Sequence, residues 1–194
     1  MRIIIEECTV SLWGREYWVT KDKQIIYRIR RSMLSAKPKF VIIDDCTEKK
    51  IGTFQNKLLS LKADAIIRVP SGSYKFDQKE INSMTYTCQQ LSGGEANYRV
   101  QGHKAFCGSI FKNEKQIGYW KKNKYSFFNN DFYDVDLDGD ADVLLMAAMT
   151  VLFDSYRISA GLGFGFEMDN MGKGVTSYKS DWTPNDEINT DEPV

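Results

Sequence analysis

Residues 143–153 are apolar on every face of a helix, so this stretch must be enclosed by protein or by lipid. Upstream the pattern changes to short alternating segments. The β-formers Tyr17, Trp18, Val19 and Thr20 lead into the polar turn Lys21-Asp22-Lys23. In the following run Ile25, Tyr27 and Ile29 share one face of a strand, and Arg28 and Arg30 share the other. A comparable unit follows at 40–43, turns at 44–48 and returns at 51–54, with Pro38 suited to an edge or a strand start. The signal weakens over 69–102. There Pro70-Ser71-Gly72-Ser73 and Ser92-Gly93-Gly94 are turn chemistry, and 83–88 and 98–101 read as strands. Segments 105–111 and 117–120 restore the hairpin pattern, and 125–128 leads into an acidic stretch. Gly161-Leu162-Gly163-Phe164-Gly165-Phe166 reads as a final strand or a flexible arm. The pattern predicts β structure around one late helix at about 140–158, in a single domain over 1–166 with a polar, flexible tail over 167–194.

Length and charge decide what encloses the helix. A membrane span needs about 20 apolar residues for a hydrocarbon core of about 30 Å, and at about 1.5 Å per residue the run 143–153 covers roughly half of that. Extending it to Phe166 would carry Asp154 and Arg157 inward, at about 2.5 to 3.5 kcal/mol for each charge. A buried protein core is therefore expected, with no integral span. Asp154 and Arg157, three apart on a helix, are expected to pair near its end. Asp140 is the expected N-cap, with Asp138 and Asp142 beside it to complement the helix dipole, and Gly161 helps to end the segment.

The chain repeats itself. Ser32-Met33-Leu34-Ser35-Ala36-Lys37 recurs as Lys57-Leu58-Leu59-Ser60-Leu61-Lys62, and Glu48-Lys49-Lys50-Ile51-Gly52 recurs as Glu114-Lys115-Gln116-Ile117-Gly118. A series of β-hairpins explains both repeats. A solenoid explains them less well, because the hairpins are few and irregular.

Composition narrows the partners. Lys plus Arg (26) equals Asp plus Glu (26), so no global field draws the protein to nucleic acid, and any electrostatic partner must be read by a local patch. Cys8, Cys46, Cys88 and Cys107 form no CxxC pair and are expected as reduced, buried, inert thiols. Residues 1–7 hold too short an apolar run for a signal peptide. A cytoplasmic monomer, peripheral at the inner membrane face if it meets a membrane, is the resulting expectation.

Four phrases together resemble one known family: CTVSLWGREYWVTKDKQIIYRIRRSMLSAKPKFVIID, KKIGTFQNKLLSL, KQIGYWKKNKYSF and DADVLLMAAMTVLFDSYR. Their order is similar to that of the LURP-one-related family, relatives of the tubby C-terminal domain and of phospholipid scramblases. The resemblance runs from about Met1 to Ile158, departs from the family rhythm over 70–94, and stops short of the glycine-rich arm and acidic tail. It implies a closed antiparallel barrel of about twelve strands around the C-terminal helix, closure also removing exposed sheet edges.

Two clusters carry candidate chemistry. Asp134, Asp136, Asp138 and Asp140, with Gly139 at the sixth position, match the first half of an EF-hand loop, where hard oxygen ligands surround calcium. The twelfth position is Leu145 instead of a bidentate Glu, and a polar turn plus helix cap accounts for the same residues. Calcium is thus the one metal the sequence suggests, and no other cofactor is expected. Scramblases are similar in carrying an acidic stretch ahead of their apolar helix, for which calcium binding has been proposed. The second cluster, Arg28, Arg30, Arg31, Lys37 and Lys39, with Lys57 and Lys62 near the second repeat, could meet anionic phospholipid headgroups at about 1 kcal/mol per cation. Tubby domains bind phosphoinositides, which the resemblance extends to this cluster; a solvated barrel exterior is the plainer account.

Enzyme chemistry has little footing. His103 is the single histidine, no GxSxG accompanies it, and a surface or hairpin position suits it. The glycine run at 161–165 follows a helix instead of joining a strand to one, unlike a phosphate loop. Trp13, Trp18, Trp120 and Trp182 suit barrel filling, girdle positions or tail contacts. The expected function is a non-enzymatic module that binds anionic lipid or another protein. The alternative is a scramblase-like, calcium-responsive lipid transporter.

Overall fold

Alternation of inward apolar and outward polar side chains builds a ring of twelve strands, each paired antiparallel with its chain neighbour and closed by β1 against β12. The computed structural model describes residues 1–10, 14–32, 39–56, 64–80, 84–94, 96–103, 107–123, 132–161 and 182–185. The strands are β1 (Arg2–Val10), β2 (Gly14–Lys21), β3 (Gln24–Ser32), β4 (Lys39–Asp44), β5 (Lys50–Asn56) and β6 (Asp64–Val69). They continue as β7 (Gly72–Gln78), β8 (Thr85–Gln90), β9 (Asn97–His103), β10 (Cys107–Lys112), β11 (Lys115–Asn123) and β12 (Phe132–Leu137), followed by the helix α1 (Val143–Gly161). The expected closed barrel with one enclosed C-terminal helix is the fold observed.

Four strands were not visible in the pattern: β1, β6, β7 and β12, the last read as an acidic loop. Residues 2–7 weigh against a signal peptide, yet they form most of β1, in which Ile3 and Ile5 point inward and are fully buried. Ala65, Ile67 and Val69 of β6 and Tyr74 and Phe76 of β7 likewise alternate inward. The β6–β7 turn is confined to Pro70 and Ser71, and Gly72 opens β7 at a φ of 146°. Gly72 and Ser73, read as turn, belong to the strand.

The repeated Glu-Lys-x-Ile-Gly phrase marks the start of β5 and of β11. Glu48 and Glu114 both adopt positive φ in the preceding turns, 55° and 66°. The glycine that ends the phrase sits in close quarters: a Cβ at Gly52 would lie 2.8 Å from the carbonyl oxygen of Arg68, which cannot give, and one at Gly118 2.8 Å from the Leu137 side-chain end, which would have to move. The other repeat, at 33–37 and 57–62, falls outside the described residues, as does Pro38.

The helix fills the barrel. From Leu144 to Phe153 every side chain is at most 5% exposed, and Phe153 meets Tyr86 and Trp120 edge-on at centroid distances of 5.1 and 4.9 Å. Its N-cap is Asp142, not Asp140: the Asp142 carboxylate accepts from the amide of Leu145 at 3.0 Å and its carbonyl accepts from Met146 at 2.9 Å. The helix starts later than expected because Asp138 and Ala141 first close a turn, amide to carbonyl, at 3.1 Å. The Arg157 side chain, the expected partner of Asp154, lies outside the described residues; Asp154 has a partner on the barrel wall. It accepts from Lys122 Nζ of β11 at 2.9 Å, with the two side chains only 2% and 5% exposed.

That ion pair fixes the helix in rotation and depth, and removing one partner leaves a buried charge uncompensated. Lys122→Met is expected to lower stability by about 3 to 5 kcal/mol in urea unfolding, whereas Lys122→Met with Asp154→Leu recovers most of the loss. Equal losses in the single and double variants would contradict this account. The β2–β3 turn offers the opposite sign. Asp22 and Lys23 both sit in the left-handed region, at φ 50° and 64°, as the hairpin's handedness requires. Lys23→Gly should therefore raise stability by about 1 kcal/mol in the same assay.

Candidate functional site

With its lumen occupied by α1, the barrel offers ligands its outer wall and its two mouths. The acidic stretch shows how the outer wall is used. Tyr133, Val135 and Leu137 of β12 face the core, which places Asp134 and Asp136 on the opposite, outer face. Asp134 receives both arms of the Arg2 guanidinium at 2.7 and 2.6 Å, and hydrogen bonding and charge attraction raise the pKa of Arg2. Asp138, buried at the mouth where α1 begins, accepts from the backbone amide of Asn185 at 2.9 Å and lies 3.4 Å from Lys115 Nζ. Asp140 is exposed. The four aspartates thus do not converge, and no group of three or more His, Cys, Asp or Glu among the described residues is placed to hold a metal ion. The alternation that resembles an EF-hand in sequence is here the period of a strand.

The basic cluster is also divided. Arg28 and Arg30 occupy the outer face of β3, where Arg28 pairs with Asp45 at 2.6 Å and Glu48 at 3.5 Å, and Arg30 with Glu16 at 2.9 Å. Arg31 is exposed on the other face of β3, opposite Phe40, and Lys39 stands opposite Ser32 at the far end of the barrel from the start of α1. Lys37, Lys57 and Lys62 lie outside the described residues. Beside the arginines, pattern reading missed an apolar feature: Trp18 and Ile4, on adjacent strands, are 36% and 38% exposed. Trp18 faces Arg28 across the β2–β3 ladder and donates its indole N–H to Glu16 at 3.0 Å. An indole outside a barrel whose other described tryptophan with an inward position, Trp120, is buried is a distinction that β-propensity alone cannot make.

A pocket of about 580 Å³ opens on the outer wall of β9, β10 and β11. His103, the lone histidine, is part of it: His103 Nε2 lies 2.8 Å from Ser109 Oγ, which also accepts from Gln116 Nε2 at 3.2 Å. At one rim Arg99 lies over the ring of Phe111 at 4.1 Å and donates to Gln101 and Glu114 at 2.7 and 2.8 Å. The chain's own tail supplies the remaining wall. Trp182 donates to the carbonyl of Gln116 at 3.3 Å, and Asn185 is held by Asp138. Sequence reading missed this site because its parts lie on three strands and a distant tail. The outward polar series Arg99, Gln101, His103 is the one local trace of it.

The cysteines divide by position. Cys88 and Cys107 are buried as expected, but Cys46 is exposed and Cys8 half-buried. Desolvation, aided by Glu6, Glu16 and Glu7, pushes the Cys8 thiol up to about 11, which keeps it protonated and unreactive near neutral pH.

The LURP-one-related family model matches residues 1–154. The chain belongs to the LURP-one-related family. No curated protein and no solved structure matches it. The matched residues run from the start of β1 through the Lys122–Asp154 pair, so the family region contains the barrel and the pinned part of its filling helix. Trp182 to Asn185 lie beyond it. In this LURP-one-related barrel, Asp138 therefore joins the family region to the tail. Asp138→Ala should release that contact: hydrogen exchange at the Asn185 amide is expected to quicken about tenfold or more, from the loss of a bond to a charged acceptor, while the barrel amides keep their protection. Unchanged exchange at Asn185 would show that the tail is held elsewhere.

Proposed function

We propose that this LURP-one-related protein is a non-enzymatic binding module that rests on an anionic phospholipid surface, peripherally, through the outer wall of β1–β4. The observation that carries the reading is the exposed pair Trp18 and Ile4. An indole with an apolar body and a polar N–H suits the headgroup boundary, and Ile4 adds apolar area beside it. Lys39 at the end of this wall, and Arg31 exposed on the opposite face of β3 at the same end of the barrel, supply attraction to phosphate. Arg28 and Arg30 supply less, because each already holds a carboxylate.

In sedimentation with phosphoinositide-containing vesicles at low salt, the wild-type protein is expected to pellet. Trp18→Ala and the pair Arg31→Glu, Lys39→Glu should each weaken binding about tenfold, a size consistent with about 1 kcal/mol per cation and similar indole burial. Arg28→Glu with Arg30→Glu should weaken it less. Failure to pellet at low salt, or binding indifferent to Trp18→Ala, would exclude the lipid surface.

A protein partner is the second reading, favoured by the same ion pairs: an indole among neutralised arginines is the composition of an interface centre. The calcium-responsive transporter draws no support from α1, since no helix among the described residues is long and apolar enough to cross a membrane and α1 is enclosed by its own barrel.

A further inference from the structure

The β9–β11 pocket lies apart from the β1–β4 wall just described, separated from it by β12 on one side and by β5–β8 on the other. We infer that it binds a neutral, polyhydroxylated small molecule of the sugar type. Its volume, about 580 Å³, falls among those of small-molecule sites. Its charges cancel locally: Arg99 is held by Glu114 at 2.8 Å, and Lys115 lies 3.4 Å from Asp138. A site with no net charge gives an ion little to gain.

The lining groups then decide among neutral ligands. Lys115 and Arg99 can only donate, the Glu114 carboxylate can only accept, and the Thr183 hydroxyl does both. The side-chain nitrogen of Gln116 is engaged by Ser109 Oγ and by the carbonyl of Gly118 at 3.3 Å, and its side-chain oxygen takes no bond among the described residues. A phosphate could not use those acceptors and an amine could not use those donors, whereas a hydroxyl answers both. Two of the groups are held in place, Arg99 by Gln101, Glu114 and the ring of Phe111, and Gln116 by Ser109. These two have little side-chain entropy left to lose on binding. Trp182, anchored through its indole N–H to the Gln116 carbonyl, brings an aromatic surface of the kind on which C–H faces of sugar rings pack.

Saturation-transfer NMR on the full chain, with glucose, galactose, mannose, xylose, maltose and lactose as probes, tests this directly. At least one should bind at millimolar affinity or tighter, and calorimetry should show that binding weakened about tenfold by Trp182→Ala and by Thr183→Val. Thr183 is exposed and makes no hydrogen bond among the described residues, so its substitution should leave the thermal unfolding midpoint where it was. No transfer to any probe would overturn the proposal. So would binding unchanged in both variants, or inorganic phosphate binding in preference to every sugar.

Discussion

A closed barrel of twelve strands has more lumen than its own inward side chains fill, and everything else in this molecule follows from how that space is occupied. The occupant is α1, and the constraint acts in both directions. A helix surrounded on all sides cannot be amphipathic, so Leu144 to Phe153 carry one polar side chain, Thr150, whose hydroxyl bonds back to the carbonyl of Met146 at 2.9 Å. An apolar cylinder inside an apolar tube has little to fix its rotation. The buried Lys122–Asp154 pair meets that need at one end and the Asp142 cap at the other. A buried ion pair is a weak source of stability but a strong source of registration, because misplacement strands two charges.

Filling the lumen moves function outward. Barrels that carry ligands inside keep the inner face of their strands for recognition; here that face is spent on packing. What remains is a polar exterior on which several cations are answered by neighbours, Arg2 by Asp134, Arg28 by Asp45, Arg30 by Glu16 and Arg99 by Glu114. Such cross-strand pairing keeps the wall hydrated and leaves few places where it can bind anything. Among the described residues the exposed Trp18–Ile4 pair and the β9–β11 pocket stand apart from this pattern, which is why they carry the functional arguments.

The sequence made the architecture legible because two periods, all-round apolarity at 143–153 and alternation elsewhere, each point to one environment. Family phrasing then supplied closure. Where reading failed, one pattern served two structures. Asp134-Val135-Asp136 alternates as a calcium loop does and as a strand does, and only the inward burial of Tyr133, Val135 and Leu137 separates them. Ile3 and Ile5, weighed as a leader, were strand residues whose partner lay at the other end of the chain. Arg28 and Arg30 were rightly put on one face, but their carboxylate partners, Glu16 across the β2–β3 ladder and Asp45 and Glu48 in the β4–β5 turn, are invisible to composition. The pocket was the least legible element, since it exists only once β9, β10, β11 and the tail are assembled.

The seam between β1 and β12, with Arg2 opposite Asp136 and Ile5 opposite Tyr133, bears on how the chain is made. A ribosome releases β1 first and β12 almost last, and α1 follows β12. Until then the sheet has two open edges and an empty apolar interior, so the barrel cannot be completed during synthesis of its strands. Closure and filling fall together in the final step. The nascent chain is therefore most exposed to edge pairing with other chains during elongation, and premature termination anywhere before α1 yields a sheet whose inner face has nothing to enclose.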